Sequence, residues 1–234
     1  MRPPIDLAAQ ERAVRSVELE SVRHLVEPGM RILEVGGGSG HQAAVLASWG
    51  AWVASVDVGG RARGATFHPV LLYDGVHLPF PDGTFDLIWS SNTLEHVVDL
   101  DALLGELRRV VVPGGGQVHA VPSASWRAWS MAAEPLGAPA RLIARRRGRV
   151  VPLPHESSYD DPGAEAGPRP ARFAGRVRAL LWPGPHGEHP SALHELVAFR
   201  TGAWIRRLAP LEAEVVDVVP GGAFTTGRWT LPGL

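Results

Sequence analysis

The first half of the chain alternates between two hydrophobic periods. Between residues 6 and 26 apolar residues recur at helical spacing among Arg and Glu, which indicates an amphipathic helix. Short apolar runs follow, and each ends in a glycine-rich or Asp-Gly turn. The pattern predicts strands over residues 31–35, 51–57, 70–73, 85–90 and 117–121, with helices over 43–49 and 100–111.

Strands that alternate with helices at this spacing are typical of βαβ units. We therefore expect an α/β fold with a doubly wound, mostly parallel sheet. The alternation stops over residues 122–190, which are rich in Pro, Gly and Arg, and we interpret them as an insertion after the fifth strand. Helical and strand patterns return over 191–234, where a helix at 201–208 and two strands at 213–219 and 224–230 would complete a seven-stranded sheet with an antiparallel edge.

Composition excludes several classes of chemistry. The 234 residues include no cysteine, which excludes a disulfide framework, a thiolate zinc site and a cysteine nucleophile. All 23 basic residues are arginine, which excludes lysine Schiff-base chemistry and a P-loop lysine. The 24 acidic residues bring the net charge to −1, so no overall field favours nucleic acid or an anionic membrane.

Targeting signals are not evident in the pattern. The first thirty residues lack a basic segment followed by an apolar one, and no apolar run approaches the roughly 20 residues that span a bilayer. We therefore expect a cytoplasmic protein without a transmembrane segment. The arginines from Arg145 to Arg149 could form a solvated helix end or a peripheral contact with an anionic membrane.

The sharpest motif is the sequence ILEVGGGSG at residues 32–40, in which a strand leads into a glycine loop and then a helix. Glycines allow positive φ angles and close approach of a ligand, and the helix behind them presents unpaired N–H groups. Such a loop favours a nucleotide-like ligand. The glycines follow a G-x-G-x-G pattern rather than the G-x-G-x-x-G of dinucleotide sites, which argues against NAD and a Rossmann oxidoreductase.

This motif resembles the first motif of the class I S-adenosylmethionine-dependent methyltransferases, whose fold is Rossmann-like. The resemblance spans roughly residues 30–121, with a weaker match from 199 onwards, and divides the chain into a cofactor-binding core at 1–121, an insertion or lid at 122–190 and a C-terminal part of the sheet at 191–234. It implies S-adenosyl-L-methionine as the cofactor. The first-motif residues are Glu34, Gly36, Gly37, Gly38 and Gly40.

Three further segments extend the expected cofactor site. Asp57, followed by Val58, ends the second strand, where a carboxylate can accept both hydroxyls of a ribose. Asp74 and Gly75 resemble the family's third motif, whose Asp meets the adenine amino group, although an Asp at this position could simply begin a turn. Ser91 and Asn92 lie in the segment that resembles the family's fourth strand and the loop after it.

Methyl transfer to a hydroxyl benefits from a base, for which histidines are the candidates. His186 is our first choice and His194 or His96 the second, although each could be a loop or capping histidine without a role. We expect no metal site. The segments at 126–149, 186–199 and 221–227 faintly resemble bacterial methyltransferases of surface polysaccharide or secondary metabolism. We therefore expect O-methylation of a small-molecule or glycan acceptor and no nucleic-acid partner. N-methylation of a small amine and a catalytically silent cofactor-binding module are the alternatives.

Overall fold

The computed structural model describes residues 5–58, 67–133, 150–151 and 186–219. The strands are β1 (Ile5–Asp6), β2 (Arg31–Val35), β3 (Trp52–Val58), β4 (Leu71–Tyr73), β5 (Phe85–Ser91), β6 (Val111–Ala120) and β7 (Val150–Val151). The helices are α1 (Leu7–Glu20), α2 (His41–Ser48), α3 (Leu100–Val110), α4 (124–133), α5 (Ala192–Ala198) and α6 (Thr201–Arg207).

The central sheet has the order β4-β3-β2-β5-β6 over the described residues, and all four neighbouring pairs are parallel. In chain order, β2, β3 and β4 form one half of the sheet, and β5 then pairs with the other side of β2. The direction of winding therefore reverses between β2 and β5, which is where ligands bind in open α/β sheets. β1 and β7 form a separate parallel pair.

Side chains from successive strand positions pack into two cores on opposite faces of the sheet. On one face, Leu33 and Ile88 pack against α3 and against the buried rings of Phe199 and Trp204. On the other face, Ile32 and Trp89 pack with buried residues of α1 and α2. Because both faces are covered, the strands read as continuous apolar runs, as the sequence pattern predicted.

The expected α/β doubly wound fold is confirmed, and most predicted elements lie within two residues of the observed ones. One strand prediction is wrong: residues 213–219 form no strand, and their valines are solvent-exposed, Val216 to 89%. Their alternating pattern resembled a strand, but no described strand lies beside them to bury one face. The predicted strand at 224–230 and the arginines at 145–149 lie outside the described residues, so the sheet described here has five strands rather than seven.

None of the helices in the described ranges combines the length and the apolar character that crossing a membrane requires.

Candidate active site

Two loops meet at the point where the winding of the sheet reverses. One follows β2 and contains the glycine loop, and the other follows β5 and contains residues 92–96. The hydroxyl of Thr93 donates to the carbonyl of Val35 at 3.1 Å, and a side chain at Gly36 would overlap Thr93. The glycine at this position therefore allows the two loops to pack directly against each other.

The glycine loop adopts the conformation that its sequence predicts. Gly36, Gly38 and Gly40 have φ angles of 83°, 54° and 74°, a region that other residues seldom adopt. The amides of Gly36 and Gly37 both donate to the carbonyl of Val56 on β3, at 2.9 and 3.0 Å. A Cβ on Gly38 would meet no atom of the described residues within 4 Å, so this glycine faces open space within that part of the structure.

Glu34 lies beneath the loop and is only 2% exposed. Its Oε2 accepts a 2.5 Å hydrogen bond from the hydroxyl of Ser55. Burial raises the pKa of Glu34 to about 7, and the nearby charge of Asp57 acts in the same direction. A side chain on Gly37 would collide with Ser55 and approach Glu34. Glu34 is therefore placed to support the loop from below.

Asp57 joins the end of β3 to the glycine loop. Its Oδ2 accepts a 2.7 Å hydrogen bond from the amide of Gly38, and its Oδ1 accepts one of 2.7 Å from the amide of Val58. The side chain is buried. Its carboxylate thus lies beside the open face of the loop, at the position expected for a ribose-binding acid.

Asp74 begins a local turn on the far side of β3. Its Oδ1 accepts from the amides of Val76 and His77, and its Oδ2 contacts Nδ1 of His77 at 2.7 Å. These bonds, His77 foremost, lower the pKa of Asp74 to about 2. Gly75, at φ 92°, packs against Val58, so the two predicted cofactor segments touch each other.

Ser91 and Asn92 lie where β5 meets the N-terminal helix. Arg15 donates to the hydroxyl of Ser91 at 3.1 Å, and that hydroxyl donates to Glu18 at 2.8 Å. Asn92 adopts a φ of 49°, and its backbone N–H donates a hydrogen bond to the carbonyl of Ala120 on β6. Helix α1 therefore covers this end of the sheet, a role that its amphipathic pattern did not reveal.

A cluster of ionisable side chains lies past the end of β5. Oε1 of Glu95 lies 3.9 Å from Nε2 of His96 and 3.5 Å from Nε2 of His186. The two imidazole rings lie with their centroids 5.2 Å apart, and the ring of Trp126 meets His186 edge-on at 4.8 Å. Two of the three predicted histidines are thus brought together, from segments 90 residues apart in the chain.

A buried carboxylate holds His186 in this place. Oε1 of Glu195 accepts hydrogen bonds from the amides of His186 and Gly187, at 2.5 and 3.0 Å. Its other oxygen forms a 2.6 Å ion pair with Arg127 on α4, and both side chains are almost completely buried. A side chain on Gly187 would overlap the carbonyl of Glu95, so only glycine allows this loop to pack on the turn at 94–96.

His194 does not join the cluster. Its amide and Nδ1 both contact the hydroxyl of Ser191, which caps the start of α5, and the residue is exposed. Residues 122–190 contain three tryptophans: Trp126 contacts the cluster, Trp129 is 61% exposed, and Trp182 lies outside the described residues.

Sequence reasoning missed the acidic partners of these histidines. Glu95 and Glu195 each lie next to a histidine in the sequence, as Glu95-His96 and His194-Glu195, and this adjacency was the available signal. Both glutamates are fully buried, and the residues next to them in the sequence do not predict this burial. Arg127 gave no signal among the many arginines of the insertion.

Comparison with known proteins agrees with this geometry. A family model described as a methyltransferase domain matches residues 33–118, from β2 into β6. A ubiquinone/menaquinone biosynthesis C-methyltransferase UbiE from Cupriavidus pinatubonensis is 36% identical over 102 residues, which cover 38% of this chain and 42% of that protein. A demethylmenaquinone methyltransferase from Mycolicibacterium gilvum is 38% identical over 109 residues, which cover 45% of this chain and 47% of that protein. The chain thus spans less than half the length of either relative.

Solved structures overlap a similar part of the chain. An S-adenosylmethionine-dependent methyltransferase from Mesorhizobium loti is 27% identical, with a TM-score of 0.41 over 48% of this chain and 56% of that one. Residues 33–118 are therefore similar to a methyltransferase domain, and this part of the chain contains the G-x-G-x-G loop and Asp57 at the end of the neighbouring strand.

Proposed function

We propose that this protein transfers the methyl group of S-adenosylmethionine to a hydroxyl of a small-molecule or glycan acceptor. The observation that carries the proposal is the packing of two loops, one with the open glycine face and Asp57, the other leading into Glu95, His96 and His186. The expected cofactor site and a group of potential proton acceptors thus lie on loops that pack against each other.

The reaction needs alignment before it needs acid–base help. The acceptor oxygen attacks the methyl carbon in line with the C–S bond, that bond breaks, and its electron pair returns to sulfur to give S-adenosylhomocysteine. Holding the two reactants in this geometry supplies much of the rate enhancement. The methyl group would point from the glycine loop towards the loop after β5.

The acceptor hydroxyl must also lose a proton. His186 remains our first choice as base, since Glu195 and Trp126 fix its position. His96 is the second choice, because it lies in the same cluster. His194 becomes the weakest of the three, since Ser191 occupies its Nδ1. A neutral imidazole placed within reach of a hydroxyl contributes typically 10²–10⁴-fold to such a step.

A second candidate is methylation of carbon. The relatives from Cupriavidus and Mycolicibacterium are named for quinone biosynthesis, and the first is named a C-methyltransferase. Deprotonation of a ring hydroxyl makes the adjacent ring carbon nucleophilic, so the same base would serve either product. Two further alternatives are methylation of an amine and binding of the cofactor without turnover.

The test begins with mass spectrometry of small molecules bound to the purified protein. The chain is then incubated with S-adenosylmethionine labelled in its methyl group and with a panel of sugars, phenols, hydroquinones and amines. Formation of S-adenosylhomocysteine together with a product labelled on oxygen supports the proposal, and a label on carbon selects the second candidate. Absence of cofactor binding in a calorimetric titration would overturn both.

A further inference from the structure

The cluster after β5 combines three side chains that are good metal ligands. Glu95, His96 and His186 each offer one ligand atom, and these atoms lie within 4.8 Å of one another. Glu95 and His96 are adjacent in the turn that follows β5, while His186 comes from the loop before α5. The set therefore forms only when the two segments fold against each other.

The carboxylate of Glu95, at the centre of the cluster, is buried. The side chain of Glu95 is fully buried, and neither of its oxygens has a hydrogen-bond partner within the described part of the chain. Leaving such a group without a partner costs several kcal/mol, so proteins usually pair it or bind a cation to it. The guanidinium of Arg207 attracts Glu95 at longer range, and Nη1 of Arg207 itself has no hydrogen-bond partner among the described residues.

We propose that Glu95, His96 and His186 bind one divalent transition-metal ion, of which Zn²⁺ fits best. Two imidazoles and one carboxylate form a known catalytic zinc ligand set, which leaves a fourth position open. Tetrahedral ligands at zinc bond lengths lie about 3.3 Å apart. The Oε1 atom of Glu95 already lies 3.5 and 3.9 Å from the two imidazole nitrogens, so small side-chain rotations bring the three atoms into range.

The role of this ion rests on the proposed methyltransferase function. An acceptor hydroxyl in the open position would coordinate the ion, which lowers the pKa of that hydroxyl. The proton leaves to solvent, the oxygen attacks the methyl carbon, and the C–S electron pair returns to sulfur. In this metal-loaded form His186 is a metal ligand. The role of general base that we propose for His186 above applies to the metal-free protein.

The test uses the full chain and reads the metal directly. The protein is stripped with EDTA, dialysed, and titrated with Co²⁺, whose visible absorption reports four-coordinate binding, and then with Zn²⁺ in competition. We expect one ion per chain. Glu95→Gln and His186→Ala should each weaken binding by at least about tenfold. The matched controls Glu188→Gln, in the same loop, and His194→Ala, on the following helix α5, change the same residue types and should leave binding unchanged.

Three outcomes would overturn the proposal: no saturable binding to the wild type, unchanged binding in Glu95→Gln, or loss of binding in His194→Ala. Far-UV circular dichroism and calorimetric titration with S-adenosylmethionine show whether each variant is folded. Because these readouts do not need turnover, a protein that binds the metal but not S-adenosylmethionine contradicts the proposed function and leaves the metal site standing.

Discussion

The amide of Gly38 donates a 2.7 Å hydrogen bond to Oδ2 of Asp57, across the gap between the loop after β2 and the end of β3. This bond joins the two motifs that the sequence assigned to the cofactor. It also means that Asp57 has two tasks, since the same carboxylate orders the loop and presents an acceptor beside it. Substitutions at Asp57 and in the loop should therefore affect cofactor binding together.

Asp57→Ala should weaken the binding of S-adenosylmethionine by about 1.5–3 kcal/mol, the range for a hydrogen bond to a charged group. This corresponds to roughly ten- to a hundredfold in affinity, which isothermal titration measures directly. Asp86→Ala is the matched control, because Asp86 lies at the opposite end of the sheet in an exposed pair with Arg31. If the two variants bind S-adenosylmethionine with equal affinity, a residue other than Asp57 contacts the ribose.

Gly37 and Gly38 should respond differently to substitution. Gly37→Ala places a methyl group against Ser55 and Glu34, so we expect a loss of stability of roughly 1–3 kcal/mol. Gly38→Val meets no atom of the described residues but enters the space beside Asp57 and must adopt a φ of 54°. It should abolish cofactor binding, and the positive φ costs about 1–2 kcal/mol in stability.

Denaturant unfolding and cofactor titration of both variants separate these effects. If Gly38→Val binds S-adenosylmethionine as well as the parent protein does, the cofactor does not lie on this face of the loop.

Glu34 should make stability depend on pH in the direction opposite to an ordinary surface carboxylate. Its pKa is raised from 4.5 to about 7 in the folded protein, so the folded state binds more protons than the unfolded state between these values. The stabilising contribution is complete below pH 4.5 and is lost as the pH rises through 7, with a magnitude on the order of 3 kcal/mol.

Glu34→Gln keeps an oxygen for the hydroxyl of Ser55 and removes the titration. Unfolding free energies of both proteins measured from pH 5 to 8 should therefore diverge, with the wild type losing stability relative to the variant as the pH rises. Parallel curves would show that Glu34 does not titrate in this range.

The sequence predicted the strands and the glycine loop of the sheet well because their signals are local. Glycines that need positive φ angles, an acid at the end of a buried strand and apolar runs of strand length each depend on a few consecutive residues. Arg31–Val35 was predicted with its observed limits for this reason. The strand predicted at 213–219 was wrong because alternation alone cannot show whether a neighbouring strand is present.

The cluster of Glu95, His96 and His186 was predicted less completely because it depends on contacts between distant segments. His186 and His96 were named, but their joint contact with Glu95 spans 90 residues of sequence. Glu195 contacts Arg127 across 68 residues of sequence. Neither burial nor the identity of such partners can be read from a single segment, so both glutamates were missed.

The Arg127–Glu195 ion pair should be costly to break from one side. Arg127→Leu leaves the buried carboxylate of Glu195 without its cation, and we expect a loss of about 3–5 kcal/mol in unfolding free energy. The double variant Arg127→Leu/Glu195→Gln removes both charges and retains an oxygen for the amides of His186 and Gly187. It should be more stable than Arg127→Leu alone, and a double-mutant cycle from denaturant unfolding measures the coupling.

Strict additivity in that cycle would contradict the pair as a stabilising unit. The same variants report on the active site, because Glu195 positions His186 through the backbone. Once an acceptor is known, Arg127→Leu should lower kcat more than it changes the affinity for S-adenosylmethionine.

The most direct test of the proposed base is His186→Ala in protein freed of metal with EDTA. Removal of a positioned base should lower kcat by roughly a hundredfold or more. Cofactor affinity should not change, since His186 contacts Trp126, His96 and Glu95, none of which belongs to the glycine loop. His24→Ala, an exposed histidine on the short helix Arg23–Leu25, makes the same chemical change outside the site. Initial rates of S-adenosylhomocysteine formation at saturating cofactor give kcat, and calorimetry gives the affinity. If His186→Ala turns over at the rate of His24→Ala, then His186 is not the base, and His96→Ala becomes the variant that should lose activity.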